Sequence, residues 1–141
     1  MEQQEFDPTA TSVFKIPLVD DSQVDIPALS AVDREAVAAL PAGSALLIVQ
    51  RGPNTGARFL LTPEVTQAGR SPKSDIFLDD VTVSRHHCQF IAHEGVHIVR
   101  DSGSLNGTYV NRERVEQVVL SAGDEVQIGK YRLTYHPSHV L

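Results

Sequence analysis

A chain of 141 residues, 41% hydrophobic, has room for one domain with a real core and a modest extension. Its formal charge of −6 lies entirely in residues 1–44, where eight acids face two bases, while residues 45–141 balance ten of each, so a generic nucleic-acid surface is disfavoured. The single cysteine, Cys88, excludes an internal disulfide and a multi-cysteine zinc site. No basic start precedes an apolar run and no stretch approaches the ~20 apolar residues of a spanning helix, so secretion and membrane insertion are disfavoured and the cytoplasm is the expected address.

Residues 1–44 mix acids with Pro8, Pro17, Pro27 and Pro41 and show no sustained period beyond a short helical patch from Ala31 to Leu40. The expectation is a regulatory, mostly disordered leader over 1–44, followed by a domain over 45–141. From Ala45 the texture changes to short β-rich runs separated by turn residues, first Ala45 to Gln50 and then the breaker Gly52-Pro53-Asn54-Thr55-Gly56. Further runs fall at 57–61, 65–69, 76–78, 88–92, 96–100, 108–110, 113–120, 124–128 and 131–135. Glu125 to Ile128 alternates polar and apolar residues, and Gly129-Lys130 turns it into Tyr131 to Tyr135, the pattern of a half-buried hairpin. About ten short strands without helical periodicity predict an all-β sandwich. Its polar clusters fall between strands, at 69–75, 79–87 and 101–107, where a rigid sandwich displays binding residues.

Arg70 directly follows a strand-like run and precedes the turn-forming Ser71-Pro72-Lys73-Ser74-Asp75. A guanidinium held in this way suits phosphate, because its planar fork gives two parallel charge-assisted hydrogen bonds; taken alone, such an arginine is more often a surface ion-pair residue. Ser84 and Arg85 stand at a loop-to-strand junction that can aim a hydroxyl and a second guanidinium outward. Asn106, between Leu105 and Gly107, offers an amide to an extended peptide's main chain, although Asn-Gly also marks ordinary hairpins. Ser104 can add a donor near the phosphate, and Gly103 and Gly107 permit a tight loop.

A hydrolase built on Ser84, His87 and Asp101 is disfavoured, since the strained Gly-x-Ser-x-Gly turn and an oxyanion loop are missing. His87 is better read as a tie holding the Ser84 loop. A metal site from His86, His87 and Cys88 is weak because neighbours on a strand point to opposite faces, and Cys88 is most simply a core residue. The glycines at 103–107 lack the Gly-x-x-x-x-Gly-Lys-Ser/Thr arrangement of a nucleotide loop. No cofactor is expected, and the chemistry is binding rather than catalysis.

Taken together, Gly69-Arg70, Ser74 to Asp80, Val83-Ser84-Arg85-x-His87 and Gly103 to Asn111 resemble the forkhead-associated (FHA) domain over about residues 45–136. That resemblance implies an eleven-strand β-sandwich that recognises phosphothreonine peptides. Arg70, Ser84 and Arg85, with Ser104 and Leu105 nearby, would serve the phosphate; Asn106 would serve the peptide backbone; Gly69, His87 and Gly107 would form the loop scaffold. A closer likeness lies in Leu40 to Leu47, Arg51 to Asn54, Phe59 to Leu61 and Gly123 to Lys130, which resemble the actinobacterial family of oxoglutarate dehydrogenase inhibitors, or glycogen accumulation regulators. That family carries a leader motif Glu-Thr-Thr-Ser-Val-Phe, which here reads Thr9-Ala10-Thr11-Ser12-Val13-Phe14. The second threonine is kept as Thr11, the first is replaced by Ala10, and the preceding acid by Thr9. The family's Arg-Arg-His is here Arg85-His86-His87.

The resemblance implies a Ser/Thr protein kinase acting on Thr11, with the phosphorylated leader as a ligand of its own domain. It also implies the 2-oxoglutarate dehydrogenase E1 component, glutamate dehydrogenase and, as a further candidate, glutamate synthase as partners. The expected function is a phosphorylation-controlled inhibitor released by phospho-Thr11. The alternative is a general phosphothreonine adaptor in kinase signalling.

Overall fold

The computed structural model describes residues 29–140. Ser30 opens the first element by accepting a hydrogen bond from the Asp33 amide at 3.1 Å, which caps helix α1 (Ala31–Ala38). Eleven strands follow: β1 (Ala45–Arg51), β2 (Arg58–Leu61), β3 (Thr66–Gly69), β4 (Ile76–Phe77), β5 (Cys88–His93), β6 (Val96–Asp101), β7 (Thr108–Val110), β8 (Glu113–Val115), β9 (Gln117–Val119), β10 (Glu125–Ile128) and β11 (Tyr131–Pro137). They form a six-stranded sheet in the order β2-β1-β11-β10-β7-β8 and a five-stranded sheet in the order β4-β3-β5-β6-β9. The β-sandwich expected from the spacing of apolar runs is therefore present. The run 113–120 is two strands rather than one. The chain leaves β8 at the edge of the first sheet, the carbonyl of Glu116 accepts from the Asp101 amide, and β9 continues against β6 in the second sheet.

Period-two alternation builds the core. Ala45, Leu47 and Val49 of β1 face Leu133 and Tyr135 of β11, Val126 and Ile128 of β10, and Phe90 and Val99 from the opposing sheet. Inside this core His97 accepts from the Tyr135 hydroxyl through Nδ1 (2.9 Å) and donates through Nε2 to the Thr62 carbonyl (3.0 Å), so a neutral ring satisfies both nitrogens. The alternate residues of β1, Leu46 and Ile48, point to the outer face of the six-stranded sheet. There they pack against Val37 and Leu40, so α1 is docked on the domain. The patch read as helical between Ala31 and Leu40 is this helix. It is held further by the Ser138 hydroxyl donating to the Leu40 carbonyl and by an Asp33–Arg58 ion pair at 3.7 Å.

Candidate functional site

Three loops at one end of the sandwich carry the polar residues singled out in the sequence. The first begins where β3 ends. A Cβ on Gly69 would run into the carbonyl group of Arg85, backbone against backbone, and would lie 3.1 Å from the Ser84 carbonyl oxygen. Only glycine allows that approach. It lets the Arg70 amide donate to the Ser84 carbonyl at 2.9 Å and the Ser71 amide to the Arg85 carbonyl at 3.2 Å. The Arg70 side chain is oriented as well, since Nε donates to the Val83 carbonyl at 3.0 Å. The guanidinium's terminal nitrogens remain for a ligand among the described residues.

His87 joins the second loop to the third. Its Nδ1 accepts from the Ser84 amide (3.1 Å) and its Nε2 donates to the Gly107 carbonyl (2.9 Å) across twenty residues of sequence. Those roles fix the neutral Nε2–H tautomer. Burial holds its pKa below the ordinary imidazole range, against the opposing pull of the Gly107 bond and Asp101. Ser84 contributes a second tie: its hydroxyl oxygen accepts from the Leu105 amide at 2.9 Å, which leaves the O–H free to donate outward. Arg85 is exposed and its guanidinium has no partner among the described residues.

Asp101 organises the third loop. One carboxylate oxygen accepts from the Gly103 and Ser104 amides, the other from the Ser104 hydroxyl (2.5 Å) and the Thr108 hydroxyl (2.7 Å). Burial alone would raise the Asp101 pKa, but these donors outweigh it and hold the carboxyl below its usual range. Ser104 also accepts from the Gly107 amide at 2.9 Å and is only 8% exposed, so its hydroxyl serves the loop from within rather than pointing at a ligand. Gly107 takes φ +87°, and the Arg114 side chain lies across it. Asn106 projects from this loop, exposed, with its amide donating to the Thr82 carbonyl at 2.9 Å. Thr82 is in turn bound to Asp80 and accepts from the Lys130 amide, which ties the β10–β11 turn to the same cluster. A cavity of about 270 Å³ opens beside Asn106, lined by Thr82, Gly107, Tyr109, Gln127, Gly129 and Lys130.

The structure thus brings Arg70, Ser84, Arg85 and Asn106 to one end, with Gly69, His87, Ser104 and Gly107 beneath them and Leu105 exposed at the rim. Two guanidiniums, a hydroxyl donor and a carboxamide suit a phosphorylated side chain on an extended backbone. Ser84, His87 and Asp101 make no catalytic relay. His87 takes the Ser84 amide rather than its hydroxyl, and Asp101 is engaged by Ser104 and Thr108. Cys88 is fully buried, and desolvation drives its thiol pKa far up. Among the described residues no group of three or more His, Cys, Asp or Glu is placed to hold a metal, and no helix is long and apolar enough to cross a membrane. Thr11 lies outside the described residues.

Sequence reasoning missed Asp101 as the loop's organiser, Thr82 as the anchor of Asn106, and Arg114 over Gly107. For Asp101 a signal was present, because Asp-Ser-Gly-Ser is an Asx-turn sequence. The other two depend on long-range packing.

Residues 66–129 match the family model described as the FHA domain. The chain is 56% identical over 127 residues to the glycogen accumulation regulator GarA of Mycolicibacterium smegmatis, covering 89% of this chain and 79% of that protein. It is 57% identical over 127 residues to the oxoglutarate dehydrogenase inhibitor of Corynebacterium efficiens, covering 89% and 86%. The fold is similar to that of Mycobacterium tuberculosis EmbR in complex with a low-affinity phosphopeptide, with a TM-score of 0.62, 29% identity, and coverage of 70% of this chain and 26% of that one.

Proposed function

The chain belongs to the family of FHA-domain proteins that includes the glycogen accumulation regulators and the oxoglutarate dehydrogenase inhibitors, and from that membership we propose that it is a phosphorylation-controlled regulator. In its unmodified form the domain binds the 2-oxoglutarate dehydrogenase E1 component through the loop end of the sandwich and inhibits it. A cytoplasmic Ser/Thr protein kinase then phosphorylates Thr11, and the phosphorylated leader occupies those loops and releases the enzyme. Glutamate dehydrogenase and glutamate synthase are further partners under the same control.

The observation that supports this reading best is the convergence of Arg70, Ser84, Arg85 and Asn106 on loops fixed from beneath by His87 and Asp101. A phosphate of about −1.5 to −2 charge would receive charge-assisted bonds from the two guanidiniums and one from the Ser84 hydroxyl. The Asn106 amide would exchange the Thr82 carbonyl for a carbonyl of the ligand. Because the donors are oriented before binding, little ordering entropy opposes the contact.

The experiment is to phosphorylate the full chain and measure inhibition of 2-oxoglutarate dehydrogenase beside Thr11→Ala treated identically. Relief of inhibition in the first and persistence in the second is expected; equal inhibition in both refutes the switch. The exposed Arg85 also fits phosphothreonine on other proteins, as an adaptor would bind it. Bait left unphosphorylated recovers dehydrogenases if the chain is an inhibitor and phosphoproteins if it is an adaptor.

A further inference from the structure

The outer face of the six-stranded sheet carries a row of residues that the loop site does not use. Successive Cα partners place Arg114 of β8 opposite Tyr109 of β7, Tyr109 opposite Gln127 of β10, Gln127 opposite Arg132 of β11, and Arg132 opposite Arg51 of β1. One cross-strand row thus holds three arginines, a tyrosine and a glutamine, and no acid. Arg51 and Arg114 are exposed and Arg132 half-buried, and among the described residues none of the three side chains has an ion-pair or hydrogen-bond partner. Like charges directly opposite one another, as Arg132 and Arg51 are, destabilise a sheet. The row borders the phosphate-site loops, since Tyr109 and Gln127 line the cavity beside Asn106 and the Arg114 side chain lies over Gly107.

Helix α1 determines what can reach this row. Its C-terminal end is held where Ala45 pairs with Pro137, through Ser138 and Leu40, and its first turn lies at Arg58, the partner of Ile48. The row is the next outer-face step along β1 and β11, about 7 Å farther toward the loops. Leu29 itself packs against the Val37, Leu40, Leu46 and Ile48 cluster on this same outer face, and its carbonyl accepts from Arg34 at 2.7 Å. Residues 1–28 contain six acids and one lysine, with Asp20, Asp21 and Asp25 between Thr11 and Leu29. The row spans about 19 Å across five strands, and six extended residues cover about 17–20 Å.

We infer that the Arg51–Arg132–Gln127–Tyr109–Arg114 row is a docking surface for the acidic stretch Asp20 to Asp25 of the same chain, engaged when phospho-Thr11 occupies the loops. This rests on the phospho-Thr11 reading above and adds a second, purely electrostatic contact to it. The phosphate anchors one end of the returning segment and α1 the other, and the three aspartates neutralise the arginines between them.

The test uses the full chain, with and without phosphate on Thr11, and a fluorescent phosphopeptide copying residues 7–17, which lacks the three aspartates. Phosphorylated native chain should exclude the probe. The phosphorylated variant Asp20→Asn/Asp21→Asn/Asp25→Asn should bind it about fivefold to tenfold more tightly than phosphorylated native chain at about 50 mM salt, and the difference should collapse near ~0.5 M. Without phosphate the two chains should bind the probe alike. Arg51→Glu/Arg132→Glu, two changes away from Gly107, should open the phosphorylated chain in the same way, and Asp20→Lys/Asp21→Lys in that background should close it again. Equal exclusion by native and triple-Asn phosphorylated chains at low salt overturns the docking surface and leaves the phospho-Thr11 plug standing. Unhindered probe binding by phosphorylated native chain overturns the plug, and the docking surface with it.

Discussion

Replacing His87 by alanine removes a side chain that bonds both the Ser84 amide and the Gly107 carbonyl, and so joins the two loops. The Ser84 amide loses its acceptor and the Gly107 carbonyl its donor, and the fully buried ring leaves a cavity. Each buried polar group left unpaired costs about 1–3 kcal/mol, so with the lost packing the domain should lose about 3–5 kcal/mol. That is a large part of a typical domain stability of ~5–15 kcal/mol, yet a mostly folded population should survive at low temperature. Binding should suffer separately. Two loops now fixed before the ligand arrives would have to be ordered by it, at about 0.5–1.5 kcal/mol for each side chain immobilised, so affinity for a phosphothreonine peptide should fall about tenfold. Urea unfolding followed by circular dichroism gives the first quantity, and titration calorimetry under conditions where the variant is folded gives the second. A full loss of stability with affinity unchanged within twofold would show that His87 is an ordinary core residue, and the scaffold argument would fail.

Gly69→Ala should abolish tight phosphopeptide binding at a stability cost of only about 1–3 kcal/mol, because the new methyl group displaces the Arg85 backbone on which the Arg70 and Ser71 amides depend; an affinity like that of the native chain refutes the close-approach reading. His87, His97 and His136 are all held below the ordinary imidazole range, first by burial. The unfolded chain therefore takes up protons first, and stability present above about pH 6.5 is lost as pH falls below it; a urea midpoint that rises between pH 7.5 and 5.5 contradicts that sign. Val37→Asp should undock α1 and lengthen the tether from Thr11 from 18 residues to 34, which lowers its effective concentration about 2.5-fold. Competition by a free phosphopeptide should become correspondingly easier in the phosphorylated chain, and no change would show that α1 does not set the tether.

Much of this was legible in the chain because it is local. The alternation from Glu125 to Ile128 and the Gly-Lys turn gave the β10–β11 hairpin directly, since side chains on a strand must alternate between core and solvent. Arg70, Ser84 and Asn106 could be placed between strands because their Gly, Pro, Ser and Asp neighbours mark turns, and the strands do end on either side of them. The run 113–120 resisted because no Gly, Pro, Asn, Asp or Ser interrupts it, and only the partners, β7 for one half and β6 for the other, separate them at Glu116. Ser104 looked like a phosphate donor because a serine beside glycines advertises a hydroxyl; the Asx-turn sequence marks the loop but does not say that this hydroxyl turns inward, to Asp101 and the Gly107 amide. The arginine row was invisible for a stronger reason. Arg51, Arg114 and Arg132 are scattered over 82 positions of sequence and become neighbours only through the register of five strands.

That register bears on why a switch of this kind would have a threshold. Exposed pairs between an acidic leader and three arginines are individually weak, each within about 1 kcal/mol and screened by salt, and they compete with the entropy of the 18-residue tether from Thr11 to the Leu29 anchor. Charge attraction alone would leave the loops open. A phosphate on Thr11 adds bonds from two guanidiniums and a hydroxyl at a site already ordered by His87 and Asp101. Once that end is fixed, the aspartates no longer bear the cost of loop closure, and contacts too weak to act alone add to a closed state already formed. Cooperation between one strong, conditional contact and several weak, permanent ones makes closure depend on the kinase rather than on the leader's acidity.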